Sequence, residues 1–321
     1  MQNKGTVLLT GASGFIGSHL AGVLLQEGYS VYAPLRAESF DKTNVLCSYE
    51  NFHPLKGLFY DSAVLNDVTE TIDFVLHLAA IRGGGRADEA TYQQVNVQGT
   101  QILIDFARRH EVNGFLYLST VGVMGTIPQK TPASELSPVQ ADGLYHLSKW
   151  QGEQALRRTA GEIPYVILRP TITYGTEDDG FIPKLRQLIR SGRMVIPGAP
   201  VMMHLLSVEA LCRLIKSILQ KKQFNGKSYI IADKEPVHLQ SVAELIARSG
   251  GKYFSIPKAV FRAADILLAG LRQQALRTSI QLISRDWTYD VSSAIQELHY
   301  EPRDTLTELQ RLMEEYDNQN D

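Results

Sequence analysis

Short apolar runs bounded by glycine and proline predict strands over Thr6–Thr10, Ser30–Leu35, Gly57–Tyr60, Phe74–Leu78, Phe115–Ser119 and Tyr165–Arg169. Between them, helical spacing predicts helices over Ile16–Glu27, over Asp88–His110, and from Tyr145 to about Arg158. Gly28 closes the first helix, and the polar residues from Asp41 to Pro54 read as a surface crossover. Strands alternating with helices in this way give an α/β chain built on a parallel sheet. Beyond residue 170 helices dominate: Ile182–Ser191, Glu209–Gln220, Leu239–Ser249, Pro257–Leu271, Ser292–Leu298 and Thr305–Tyr316. One more strand, Ser228–Ala232, is expected to join the main sheet.

The first strand runs into TGASGFIG, Thr10–Gly17, and so into a helix. Gly11 permits a tight turn off the strand, Gly14 lets an anion approach bare backbone, and Gly17 lets the helix pack closely on the sheet. Free N–H groups and the positive end of the helix dipole then face a phosphate. The spacing is GxxGxxG rather than the commoner GxGxxG.

Composition narrows the partners. A chain of 321 residues has room for a principal domain and a smaller satellite. Net charge is −2 with no long basic block, so nucleic acid is not an expected partner. Cys47 and Cys212 lie far apart without metal-ligand spacing, and both are expected as buried free thiols of a reducing compartment. No metal is expected. The longest apolar tract, Ala259–Leu271, carries Arg262 and Asp265 and is too short to span a bilayer, so a cytoplasmic protein is expected. The Pro257–Leu271 helix could lie on a membrane surface, but Arg262, Arg272 and Arg277 look too few to hold it there, and a membrane partner is not expected.

Further stretches recur in a recognisable order: HLAA (His77–Ala80), NVQGT (Asn96–Thr100), Ser119–Thr120 at a strand end, YHLSK (Tyr145–Lys149) and ILRPTITYG (Ile167–Gly175). Together with TGASGFIG they resemble the extended branch of the short-chain dehydrogenase/reductase superfamily, of NAD-dependent epimerase/dehydratase type. In character they are nearest its flavonol-reductase and hydroxysteroid-dehydrogenase members. The resemblance implies a doubly wound parallel Rossmann sheet with a smaller, interleaved C-terminal substrate domain. The dinucleotide half would be residues 1–170 plus 204–233, and the substrate half 171–203 plus 234–321. It also implies an NAD(P) cofactor held by Gly11, Ser13, Gly14, Phe15, Ile16, Arg36, Asp61, Ser62, Leu78, Ala79, Ala80, Tyr145, Lys149 and Pro170, and a homodimer formed through the helices Asp88–His110 and Tyr145–Arg158.

Tyr145 and Lys149, four apart on a helix, share a face. A phenol with its ordinary pKa near 10 is a poor proton carrier at neutral pH. An ammonium one turn away and a cationic nicotinamide ring would favour phenolate. By resemblance Thr120, Tyr145 and Lys149 occupy the superfamily's Ser/Thr, Tyr and Lys positions, with Thr120 orienting the substrate oxygen. His77 reads as a packed strand residue rather than a base. The RGGGR stretch, Arg82–Arg86, reads either as a flap or as a plain surface loop.

At the end of the second strand, Leu35–Arg36 stands where NAD-selective enzymes place an acid. A guanidinium there suits the 2′-phosphate of NADP(H), which is the expected cofactor, with NAD(H) possible. Nucleotide-sugar members of the family carry an asparagine where Ile172 stands and an arginine where Met203 stands, both for diphosphate, and dehydratases carry an acid at the place of Val121. The expected substrate is therefore a small, apolar secondary alcohol or ketone, with Met202, Met203 and Ile172 either lining its site or serving as core. The alternatives are a nucleotide-sugar epimerase or dehydratase with tightly bound NAD, and a cofactor-sensing protein without turnover.

Overall fold

β1 (Thr6–Thr10), β2 (Ser30–Leu35), β3 (Phe52–Lys56), β4 (Phe74–His77), β5 (Gly114–Leu118), β6 (Tyr165–Pro170) and β7 (Ser228–Ile231) form one sheet in the order β7-β6-β5-β4-β1-β2-β3. All pairings from β3 across to β6 are parallel. The structure, a computed structural model, describes residues 4–82, 87–271 and 273–318. The sequence is laid down outward from β1 to β3, then returns to the other side of β1 with β4. That reversal opens a crevice at the carboxyl ends of β1 and β4, where doubly wound sheets take their ligands. The inner strands are covered on both faces. Leu8, Leu9, Val75, Leu76, Phe115 and Leu116 are fully buried, which is why these strands read as unbroken apolar runs.

The third strand lies one turn earlier than the sequence predicts. It spans Phe52–Lys56 instead of Gly57–Tyr60, and Pro54 sits inside it opposite Ala33. β3 pairs with β2 alone, and an edge strand tolerates a proline that cannot donate to a second neighbour. The segment 57–60 instead packs against the helical stretch that carries NVQGT. This stretch runs unbroken from Glu89–Tyr92 through a π-helical Gln93–Gln98 into Gly99–Arg109. A Cβ at Gly99 would stand 2.7 Å from the Phe59 ring, so close packing explains the glycine there.

Backbone clustering divides the chain into two units, residues 1–123, 141–169 and 211–229 forming one, and 124–140, 170–210 and 230–321 the other. Residues 204–210 and 230–233, expected with the dinucleotide half, cluster with the second unit, as do 124–140. In the second unit short parallel pairings join Ile172–Tyr174 to Leu205–Ser207 and Met194–Pro197 to Tyr253–Ile256. Its helices include Phe181–Arg190, Leu239–Arg248, Lys258–Gly270, Thr305–Asn318, and one that the sequence reading missed, Gln274–Ser284. Cys212 is buried as expected, whereas Cys47 is exposed at the end of the short helix Asn44–Cys47, whose inward residue is Leu46. Among the described residues no helix is long and apolar enough to cross a membrane.

In the first unit, the helix Leu144–Arg157 is anchored to the sheet through one carboxylate. Glu153 is fully buried and accepts from Ser119 Oγ (2.6 Å), from Arg169 Nε (2.9 Å) and from Arg169 Nη2 (2.7 Å). Arg157, partly exposed, adds a longer contact of 3.4 Å. Glu153→Ala leaves the buried Arg169 guanidinium without its partner and is expected to cost about 3–5 kcal/mol of stability. Replacing both Glu153 and Arg169 with methionine should recover most of that loss. Urea unfolding of the parent and the two variants checks it, and a single Glu153→Ala as stable as the parent would show that the pair holds nothing together.

Candidate active site

The β1 turn meets the far side of the crevice backbone to backbone. Gly11 has φ +84°, and a Cβ there would stand 2.9 Å from the Ala79 nitrogen, so no other residue fits without moving the chain after β4. A Cβ at Gly17 would fall 1.9 Å from the Gly11 carbonyl oxygen, which fixes how closely the helix Phe15–Gln26 approaches the turn. Thr10 Oγ1 ties the two strand ends by bonding His77 Nδ1 (2.8 Å) and accepting from Ala79 N (3.2 Å).

Gly14 caps the helix with no side-chain bond, no acid lies in the first turn, and Gly14 itself is exposed. A Cβ on Gly14 would meet only the Gly11 oxygen, at 3.3 Å, so the space before the helix end is open. Unclaimed N–H groups, no competing carboxylate and no side chain in the way fit a pyrophosphate. Ser13, Phe15 and Ile16 border this opening half-buried, as do Leu78, Ala79 and Ala80 after β4. These residues fit the dinucleotide implied by the fold.

Arg36 follows β2 directly and is mostly exposed, its guanidinium 3.3 Å from the equally exposed Glu38 carboxylate. Such a surface pair holds its members weakly and leaves the guanidinium able to exchange partners. Asp61 is occupied locally, accepting from Ala63 N (2.9 Å) as the cap of Ser62–Asn66, of which Ser62 is the first residue. Pro170 is buried at the end of β6.

Thr120 stands just beyond β5, half-buried, its Oγ1 accepting from Gly122 N (3.1 Å). Tyr145 and Lys149 occupy successive turns of Leu144–Arg157. Lys149 is 2 % exposed, with Nζ 4.0 Å above the Tyr117 ring. Burial brings the Lys149 ammonium down to about 7, with Glu153 pulling the other way. The phenol moves opposite to expectation. Burial pushes Tyr145 up to about 12, the cation opposing that rise is Arg82 rather than Lys149, and Tyr92 adds to it. Desolvation outweighs the neighbouring charge, and the phenol holds its proton at neutral pH.

The position of the helix is set by Asn96. Its Oδ1 accepts from Ile81 N (2.8 Å), while Nδ2 donates to Ile81 O (3.0 Å) and to Ser148 Oγ (2.9 Å). Asn96 therefore joins the segment after β4 to the helix that carries Tyr145, whose carbonyl accepts from Ser148 Oγ at 2.8 Å. The Arg82 carbonyl is held by Tyr92 OH (3.0 Å), and the rest of the RGGGR stretch, 83–86, lies outside the described residues. His77 is fully buried with Nε2 3.0 Å from Thr100 Oγ1, and burial holds it well below its ordinary pKa, helped by the Lys149 charge. It is a neutral core residue, as the sequence indicated.

Tyr117, Ser148 and Glu153 are the neighbours that sequence reading missed, while Arg82 opens the RGGGR stretch that it read as a flap or a plain surface loop. Glu153 alone carried a signal, standing one turn beyond Lys149 on the face already marked by Tyr145. In the second unit Met203 is fully buried, paired with Val237 and bridged to Trp287, which makes it a core residue. Ile172 and Met202 are half-buried. Among the described residues no three His, Cys, Asp or Glu side chains gather in a way that could hold a metal.

The family model described as NAD dependent epimerase/dehydratase family matches residues 7–232. A 4-hydroxy-2-methyl-3-oxo-4-farnesyl-3,4-dihydroquinoline-1-oxide ketoreductase of Stigmatella aurantiaca is 26% identical over 92% of either chain. An N-acetyl-alpha-D-glucosaminyl-diphospho-ditrans,octacis-undecaprenol 4-epimerase of Escherichia coli O157:H7 is 28% identical, over 74% of this chain and 71% of its own. Among solved structures, the UDP-glucuronic acid 4-epimerase of Bacillus cereus in complex with NAD superposes with a TM-score of 0.77 at 23% identity, covering 98% of this chain and 99% of that one. With its reversed parallel sheet, its open helix end over Gly14 and a match that runs from β1 through β7, this chain belongs to the NAD dependent epimerase/dehydratase family.

Proposed function

We propose that this protein is an NAD(P)-dependent oxidoreductase acting on a secondary alcohol/ketone pair, and that it works as a ketone reductase. The observation that carries the reading is geometric: Tyr145 and the buried Lys149 stand one turn apart on one helix, which Glu153 ties to Ser119 beside Thr120. Reduction calls for a proton donor at the carbonyl oxygen, and a neutral phenol is one. A bound dinucleotide would supply the hydride. Tyr145 Oη gives its proton to the oxygen that becomes the alcohol and is reprotonated from solvent. Thr120 Oγ1, whose own proton is not used in its bond from Gly122, donates to the same oxygen. Lys149 would hold the nicotinamide ribose, and the bare turn at Gly11–Gly14 would hold the pyrophosphate.

The substrate we infer is weakly charged. Ile172 and the buried Met203 bring no cation or amide to a diphosphate, and the full-length relative from Stigmatella is a ketoreductase. The second reading, a nucleotide-sugar epimerase or dehydratase, is favoured by the likeness to the E. coli epimerase and to a human dTDP-D-glucose 4,6-dehydratase, 33% identical over 58% of this chain. A sensor without turnover is the third reading, and the intact Thr120, Tyr145 and Lys149 weigh against it. We also propose a homodimer built on the helices Gly99–Arg109 and Leu144–Arg157.

Steady-state assays separate these readings. Ketone substrates should drive continuous NADPH oxidation, and Tyr145→Phe should lower kcat by about 10²–10⁴-fold. Interconversion of a nucleotide sugar with no net cofactor oxidation would replace this reading with the epimerase. For cofactor choice, Arg36→Ala should raise KM for NADPH by roughly 10–100-fold, the worth of one charge-assisted contact, while leaving NADH nearly unchanged. Equal loss with both cofactors would place Arg36 off the 2′-phosphate.

Lys149 gives a separate test through stability. Its folded pKa of about 7 lies below the ordinary 10.5, so between those values the unfolded chain binds more protons and stability rises with pH. Below pH 7 the buried charge costs most. Lys149→Met should therefore stabilise the protein by roughly 3–5 kcal/mol at pH 6, with the gain fading as pH rises toward 10. Thermal melts at pH 6 and pH 9.5 check it, and a gain that does not change with pH would refute the titration.

A further inference from the structure

In the second unit, the helices Lys258–Gly270 and Gln274–Ser284 form a hairpin closed by one buried carboxylate. Asp265, 4 % exposed, accepts from Arg277 Nε (2.8 Å) and Gln281 Nε2 (3.0 Å) and pairs also with Arg285. The inward positions Phe261 and Asp265 are buried, as helical spacing requires. The opposite face is apolar and bare. Val260 is 51 % exposed, Ile266 74 %, Leu267 62 %, Leu271 60 % and, across the turn, Leu276 57 %. Val260, Leu267 and Leu271 stand seven and four residues apart on one side of the first helix and its cap, with Ile266 next to Leu267. With Phe254 and Leu276 they make six of the fourteen large exposed hydrophobics among the described residues, within 23 positions.

The charge of this segment differs from that of the rest of the chain. From Lys252 to Arg285 the sequence has six basic residues and a single acid, Asp265, in a protein whose net charge is −2. That acid faces inward and is matched by two arginines, so the hairpin's outer face presents no carboxylate of its own. Exposed Arg262 stands on the bare side, beside the apolar row. An apolar stripe bordered by cations on an otherwise acidic molecule is complementary to an anionic lipid surface, with the apolar side chains entering the headgroup–acyl boundary and the basic ones meeting phosphates. Arg277 and Arg285 are engaged by Asp265, so the cations that border the apolar side chains are Lys258 and the exposed Arg262 on the first helix, with exposed Lys252 just before it.

We propose that the hairpin 258–284 docks this protein peripherally on anionic membranes. This inference does not depend on the reaction proposed above. The test is sedimentation of the full chain with large unilamellar vesicles of phosphatidylcholine alone or with about 30 % phosphatidylglycerol. Binding is expected to the anionic vesicles, at least tenfold weaker to the neutral ones, and weakened by about 0.5 M salt. Ile266→Glu with Leu267→Glu, both exposed in the folded protein, should lower binding tenfold or more. Lys258→Glu with Arg262→Glu should do so without altering the apolar row, and circular dichroism confirms that each variant is folded. The proposal is overturned if anionic vesicles are not bound, or if either folded pair binds as the parent does. It is also overturned if native mass shows a dimer that Ile266→Glu with Leu267→Glu dissociates, which would make this face a contact with a second copy.

Discussion

The buried carboxylate of Glu153 is the constraint on which the arrangement of the candidate active site rests. It gathers Ser119, adjacent to Thr120, Arg169 on β6, and its own helix, which carries Tyr145 and Lys149 two and one turns earlier. Three separately folded elements thus meet at one group. A charge without water is costly unless its lone pairs are filled, and here the planar fork of Arg169 and the Ser119 hydroxyl fill them. The arrangement tolerates little displacement, because a shift of any one element leaves a buried charge unmatched. Rigidity of this kind is what a proton donor and a hydride path require, since misplacement by about 1 Å can cost 10²-fold in rate.

Low local polarity also sets the protonation states around that point. His77 is kept neutral, Lys149 is brought to about 7 and Tyr145 to about 12, all first by burial. Each shift favours the uncharged form. The site is therefore poised with little charge of its own, and any charge brought by a ligand is felt strongly. The charge felt by the Tyr145 phenol is that of Arg82 and not that of Lys149. The position of Lys149 over the Tyr117 ring directs the ammonium toward the sheet, where a π face stabilises a partly desolvated cation.

Much of this was legible in the sequence because glycines and short apolar runs have few structural uses. The turn at Gly11–Gly17 and the strands from β1 to β6 except β3 could be read directly. β3 was misplaced since Pro54 resembles a loop residue unless one already knows that the strand lies on an edge. The helix Gln274–Ser284 escaped notice because its buried positions, Gln281 and Ser284, are polar, with Gln281 bound to Asp265. Met203 was read as a possible site residue because methionine does not distinguish a pocket from a core, and only its pairing to Val237 and Trp287 decides. Site electrostatics were the least legible, because desolvation depends on everything packed around a group and no local spacing encodes that.

The second unit has its own buried carboxylate, and it follows the opposite electrostatic strategy. Asp233 accepts from Tyr174 OH (2.7 Å), Thr305 Oγ1 (2.9 Å) and Ser207 N (2.9 Å), all neutral donors. No cation compensates its desolvation, and burial pushes it up to about 6 despite three hydrogen bonds. A raised carboxyl contributes stability that is fully present below its ordinary pKa of 3.8 and is lost as pH rises through about 6. Asp233 and Glu153 are buried to the same degree and both join distant segments, yet only Glu153 has a guanidinium to meet its charge. Burial alone therefore does not set the cost of an acid in this fold. What decides it is whether a cation stands beside it: Glu153 in the first unit and Asp265 in the second each meet a guanidinium, and Asp233 meets only neutral donors.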